Sequence, residues 1–107
     1  MSTFEDVRQQ LRHQLDELMR RVEKIEGELR SLRAPDLVER ATVPEVEKSL
    51  VGLAETSRAD LQRTRDALGR LDTGRYGICT RCGGSIGEAR LAALPTTDVC
   101  VGCVAKS

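Results

Sequence analysis

Residues 79–103, CTRCGGSIGEARLAALPTTDVCVGC, hold all four cysteines of the 107-residue chain: Cys79-x-x-Cys82, seventeen intervening residues, then Cys100-x-x-Cys103. In a Cys-x-x-Cys turn two thiolates converge on one tetrahedral Zn2+, and two such turns close a four-sulfur structural site with no open coordination position. The spacing therefore predicts one structural Zn2+ on Cys79, Cys82, Cys100 and Cys103. Gly83 follows the first pair and Gly102 lies inside the second, where a tight knuckle favours a residue tolerant of positive φ. Other uses of the cysteines fit less well. A thioredoxin-like pair wants one Cys-x-x-Cys opening a helix of a βαβ unit, a pattern this sequence lacks. Two disulfides suit a secreted domain, and the N-terminal stretch reads as no signal peptide. A catalytic zinc usually keeps a water position and takes His or carboxylate ligands.

Outward from the cysteines, composition sets the scale. One phenylalanine, one tyrosine and no tryptophan argue against a thick globular core. Seventeen basic and seventeen acidic residues cancel, a poor match to a dedicated DNA-binding domain, which carries a basic excess. No apolar run approaches a membrane span. The expectation is a soluble, cytoplasmic protein.

Toward the N-terminus the pattern becomes helical. Ser2-Thr-Phe-Glu5 reads as a capping box. Beyond it, apolar residues fall at Phe4, Leu11, Leu15, Leu18, Val22, Ile25, Leu29 and Leu32, with Val7 substituting at the slot missed by Arg8. Spacing that alternates three and four marks a narrow coiled-coil seam, and about thirty residues at about 1.5 Å each make a rod of roughly 45 Å. Pro35 stops this helix, and Ala34–Ala41, APDLVERA, forms a turn. Thr42-Val-Pro-Glu45 starts a second helix, whose seam runs Val46, Leu50, Leu53, Leu61, Leu68 and Leu71 with Ser57 and Thr64 as weak slots. Gly74 is placed to end it. Two helices of similar length joined by a short turn predict an antiparallel hairpin over 1–73, tip at about 34–42, followed by a zinc finger over 74–107. The fold class is mainly α. Zinc at the base ties the ends of a module with little core of its own.

Residues 74–103, GRYGICTRCGGSIGEARLAALPTTDVCVGC, resemble the zinc finger of the DksA/TraR family of bacterial transcription regulators. The likeness rests on Tyr76-Gly77, Gly83, Ile86, Arg90-Leu91, Pro95 and both cysteine pairs at the family spacing. The hairpin is similar too, so the resemblance covers nearly the whole chain. It implies a protein without enzymatic activity that binds RNA polymerase directly, as a monomer. In this family the coiled coil enters the secondary channel and presents an acidic tip near the active centre, without binding DNA. The family tip reads D-x-x-D-x-A. Here Asp36-Leu-Val-Glu39-Arg40-Ala41 stands at that turn, so Asp36, Glu39, Arg40 and Ala41 are the expected tip, with Glu39 one methylene longer than the family acid. The residues alone also allow Asp36 to be an ordinary cap.

Longer family members carry a helical region before the hairpin and a helix after the last cysteine; here only Val104–Ser107 follow Cys103. Some members bind the stringent-response alarmone (p)ppGpp together with polymerase, through basic residues beside the finger's proline and just after its final cysteine. Leu94 and Val104 stand at those places and offer a phosphate no charge, while Arg63 falls at a family basic position. The resemblance thus implies a weak alarmone site or none. The arginines at 58, 63, 65 and 70, interleaved with Asp60 and Asp66, read first as a solvated face and second as a docking face for an acidic rim of polymerase. His13 reads as a solvated helix residue. Three other functions stay open on the residues: a DNA-binding finger, an adaptor whose seam or finger binds another protein, and a redox sensor acting through its zinc thiolates.

Overall fold

The computed structural model of the chain describes residues 3–33 and 43–105. They form α1 (Phe4–Leu32), α2 (Val43–Asp72), α3 (Glu88–Ala93) and α4 (Val101–Ala105). The extended structure among them is a single antiparallel bridge, Ile78 to Ser85. No helix among the described residues is long and apolar enough to cross a membrane.

A reciprocal capping box opens α1, but on Thr3 and Asp6. The Thr3 N–H donates to Asp6 Oδ2 at 3.2 Å and the Asp6 N–H to Thr3 Oγ1 at 3.1 Å. Ser2 of the expected Ser2–Glu5 box lies outside the described residues. A hydroxyl followed three residues later by an acid is the pattern of such a box. Glu5 lies instead 3.7 Å from the Arg8 guanidinium. At the far end of α2, Gly74 adopts φ 74°. Its N–H reaches the Leu71 carbonyl at 3.4 Å, and the Arg75 N–H reaches the Arg70 carbonyl at 2.8 Å. That double bond pattern is a Schellman motif, and it needs the left-handed glycine that the sequence supplies.

The chain divides into two compact units, one comprising the start of α1 through Leu15 together with Gln62 onward, the other Asp16–Leu61. In the first, Leu11, Ala67, Leu71 and Tyr76 form a buried cluster, with Val7, Leu68 and Leu91 packed against it. Leu11 is fully buried. Leu11→Ala is expected to lower stability by about 2–5 kcal/mol, the usual cost of a leucine-sized cavity, read as a shift of the urea midpoint at unchanged slope. An unchanged midpoint would remove Leu11 from the core. Arg8 of α1 pairs with Asp72 of α2 in this unit, and Phe4 meets Tyr76 edge-on with ring centroids 5.8 Å apart. In the second unit Ile25, Leu29 and Ala54 are the cluster, with Leu50 and Val51 beside them. There Arg58 pairs with Glu26, and Arg33 Nε donates to Glu47 Oε1 at 2.6 Å. In both units rising numbers on α1 meet falling numbers on α2, so the helices run antiparallel.

The α1 seam is largely as expected, with Leu11, Val22, Ile25 and Leu29 buried, though Phe4 is 61 % exposed. The α2 seam keeps the expected Ser57, Leu61, Thr64 and Leu71 but departs at two positions. Leu53 and Val46 are exposed, and Ala54, Ser57, Leu61, Thr64, Ala67 and Leu71 are the buried residues. From Leu50 both Leu53 and Ala54 satisfy a three-or-four spacing, and hydrophobicity favours Leu53. Packing selects Ala54, because Ile25 and Leu29 already fill the space and leave room for a methyl group.

Candidate metal centre

The Schellman turn at Gly74 feeds directly into the finger. Tyr76 enters the core of the first unit, and Gly77 at φ 84° turns the chain, its Cβ position only 3.4 Å from Leu91 Cδ1. The first cysteine pair stands on a backbone knuckle. The Gly83 N–H donates to the Cys79 carbonyl at 2.9 Å, the Cys79 N–H to the Gly84 carbonyl at 2.8 Å, and the Ile86 N–H to the Gly77 carbonyl at 2.9 Å. Gly83 has φ 75°, as its place after the pair implies. Gly102 does not: positive φ occurs among the described residues at Gly74, Gly77, Gly83 and Gly87. The second pair rides instead on the start of α4, where the Val104 N–H donates to the Cys100 carbonyl at 3.1 Å. A helical turn brings Cys100 and Cys103 to the same side, so this knuckle requires no left-handed residue.

All four Sγ atoms lie within 4.8 Å of one another, with Cys79–Cys103 at 3.7 Å and Cys82–Cys100 at 3.8 Å. A tetrahedron with Zn–S bonds of about 2.3 Å has edges of about 3.8 Å, so the donor set matches one tetrahedral ion. Sulfur ligands select zinc over harder ions. Backbone donors already point at the sulfurs: the Cys100 N–H reaches Cys79 Sγ and the Gly84 N–H reaches Cys82 Sγ, each at 3.4 Å. Backbone N–H groups of Cys100 and Cys82 hold the Cys79 thiol down at about 6. The Cys103 thiol is pushed up to about 12, first by hydrogen bonding with the Cys100 sulfur and then with that of Cys79. Because the ion takes the sulfurs as thiolates, its binding releases protons from this cluster. Cys79 is buried, Cys82 exposed, and Cys100 and Cys103 half-buried.

Arg63 lines a cleft of about 290 Å³ in which Asp66 and Arg70 of α2 face Leu94 and the segment 96–98. Two guanidiniums share that cleft with two carboxylates, Asp66 and Asp98. Arg70 is no solvated face residue: its Nη2 donates to the Thr96 carbonyl at 3.1 Å. Leu94 and Val104 are about half exposed, at 49 % and 48 %. Asp36, Glu39, Arg40 and Ala41 lie outside the described residues. The sequence did not reveal roles for Tyr76, Arg70 and Arg90. Their signal was positional, an aromatic and two arginines flanking a finger whose charge they do not serve.

Residues 74–107 match the model of the prokaryotic dksA/traR C4-type zinc finger. The chain is 33 % identical to the RNA polymerase-binding transcription factor DksA of Haemophilus influenzae, over 83 % of this chain and 60 % of that protein. It is 31 % identical to the DksA of Salmonella typhimurium, over 96 % of this chain and 68 % of the other. The solved structure of transcription factor DksA2 from Pseudomonas aeruginosa superposes with a TM-score of 0.85 at 33 % identity, covering 96 % of this chain and 81 % of that one. The chain thus spans from 39 to 68 % of the length of these and similar relatives. With a four-cysteine centre built for one Zn2+ and two antiparallel helices, this protein is a member of the DksA/TraR C4-type zinc-finger family.

Proposed function

We propose that this protein regulates transcription by binding RNA polymerase directly, as a cytoplasmic monomer with no reaction of its own. Residues 1–73 act as a hairpin probe and 74–107 as the clamp at its base. The probe enters the polymerase secondary channel and carries Asp36, Glu39, Arg40 and Ala41 at its tip toward the active centre. One observation carries this reading: the likeness to polymerase-binding relatives runs through both helices as well as the finger, at 31 % identity over 96 % of the chain. A shared finger alone would support only a shared metal site.

Charge supports polymerase over DNA as the partner. The chain is neutral overall, and four thiolates on a divalent ion leave the centre formally at minus two, offsetting Arg75, Arg81 and Arg90. Duplex binding by counterion release needs a basic excess that this balance does not provide. In the α2 cleft, Asp66 and Asp98 sit with Arg63 and Arg70, so a polyphosphate there meets repulsion as well as attraction. Arg63 serves as a polymerase contact, and (p)ppGpp adds little.

The test is binding of the full chain to the host core polymerase, together with open-complex lifetime, at two salt concentrations and with or without (p)ppGpp. Saturable binding and an altered lifetime are expected, with less than about a twofold further change from the alarmone. Steeply salt-dependent affinity for free duplex DNA without polymerase binding would replace this reading with a DNA-binding one. Strong synergy with (p)ppGpp would restore an alarmone site.

A further inference from the structure

The two cysteine pairs are held by different means. The first stands on a knuckle closed by its own backbone bonds. The second follows residues 94–99, which belong to no helix or strand. An irregular segment of that kind ordinarily leaves its last residue, here the neighbour of Cys100, free to wander, and ordering it costs conformational entropy. Within it the Thr97 N–H donates to the Leu94 carbonyl at 3.1 Å and the Thr97 hydroxyl to the Val99 carbonyl at 3.2 Å, and donors from elsewhere take most of its carbonyls. The Tyr76 hydroxyl donates to the Pro95 carbonyl at 2.8 Å. Arg70 Nη2 donates to the Thr96 carbonyl at 3.1 Å. The Thr80 N–H and hydroxyl donate to the Asp98 carbonyl at 2.9 and 3.1 Å. Arg90 Nε donates to the Val99 carbonyl at 2.8 Å. At the end of this strap the Cys100 N–H meets Cys79 Sγ at 3.4 Å.

The donors are themselves fixed. Tyr76 is 5 % exposed, its ring clustered with Leu11, Ala67 and Leu71, so its hydroxyl has one direction. Burial pushes its phenol above the ordinary value, so it stays a donor at neutral pH. Arg70 belongs to the last turns of α2, and its own carbonyl accepts from the Arg75 and Tyr76 N–H groups at 2.8 and 3.2 Å. Arg90 sits on α3.

We infer that Tyr76, Arg70 and Arg90 are positioning residues for the metal: by binding the carbonyls of Pro95, Thr96 and Val99 they set the strap so that Cys100 and Cys103 meet Cys79 and Cys82 at tetrahedral spacing. Preorganisation of ligands by groups outside the coordination sphere raises metal affinity and slows release. Linkage makes the effect reciprocal, so the bound ion tightens Tyr76 against Leu11. None of this depends on whether the protein binds polymerase.

The test uses the full chain, Co2+ as a spectroscopic probe, and Zn2+ competition against a chromophoric chelator. Tyr76→Phe keeps the ring in the core and removes one bond. Arg90→Met keeps the aliphatic stem and removes the donor. Arg75→Gln removes an equal charge beside Tyr76 without touching the strap. Zn2+ affinity is expected to fall several-fold in Tyr76→Phe and roughly tenfold or more in Arg90→Met, with faster transfer to the chelator. The four-sulfur Co2+ spectrum should persist in both, Arg90→Lys should recover part of the loss, and Arg75→Gln should stay within about twofold of wild type. Affinity and release unchanged in Tyr76→Phe and Arg90→Met would overturn the inference. So would an equal loss in Arg75→Gln, which would make net charge the cause. Metal-free forms that melt lower while Zn2+ affinity holds would overturn it too, by showing that these bonds serve the core and not the site.

Discussion

Asp36→Ala with Glu39→Ala is expected to leave binding to core RNA polymerase within about twofold of wild type while removing most of the effect on open-complex lifetime. The two carboxylates belong to the stretch 34–42 that the sequence reads as the tip, and two side chains add little to the docking area of two long helices. Their influence is electrostatic. Unit charges 4 Å apart interact by about 1 kcal/mol in bulk water and by about 4 kcal/mol where the effective dielectric falls to about 20. For a tip that enters a narrow channel, as proposed, the second figure is the relevant scale, so loss of the tip acids corresponds to at least a tenfold change in the regulated step. Asp36→Asn with Glu39→Gln keeps shape and removes charge, and should match the alanine variant. Glu39→Asp shortens the acid by one methylene and is expected to strengthen the effect. If the alanine variant regulates as well as wild type, Asp36 is an ordinary cap and the channel mechanism fails. If neither protein touches polymerase, the adaptor reading takes its place.

Removal of the metal is expected to have the largest structural effect. Chelation, or Cys79→Ser, should release both knuckles and with them the bonds that seat Tyr76. Structural zinc supplies folding free energy of about 10–16 kcal/mol in isolated fingers, and residues 77–105 have few other buried side chains, chiefly Cys79 and Ile86. Loss of Tyr76 from the cluster with Leu11, Ala67 and Leu71 is comparable to deleting a large core aromatic, about 3–5 kcal/mol. For a chain of this size that lowers Tm by roughly 15 °C or more. Amide exchange should become fast at Cys79 and Ile86 and at the base of α2, yet stay slow around Ile25 and Leu29, which pack only on helix residues. Acid should mimic chelation, because binding requires the thiolate form and protons compete with the ion for the four sulfurs as pH falls. A metal-free chain that melts with the native one and protects the same amides would make the centre dispensable to the fold.

Much of this was readable in the sequence because the determinants are local. Cys-x-x-Cys spacing specifies a tetrahedral donor set whatever surrounds it, and the Sγ separations agree with that demand. The three-and-four rhythm of Leu11 through Leu29 belongs to one helix and needs no partner to be recognised. Gly74 marked the end of α2 because a left-handed turn has few other candidates. Tertiary structure decided what depends on a second surface. Leu53 and Ala54 are equivalent by spacing, and only the bulk of Ile25 and Leu29 opposite made alanine the seam residue. The Thr3–Asp6 box depends on backbone direction, which no pattern of residue types records. Gly102 looked like a turn residue until α4 absorbed the second cysteine pair. The strap of 95–99 was least legible of all, since carbonyl groups are common to every residue and their partners Tyr76, Arg70 and Arg90 come from distant points in the chain. Coordination chemistry is written in side-chain identity, whereas the bonds that hold it in place are written in backbone geometry, which forms only once the chain has folded.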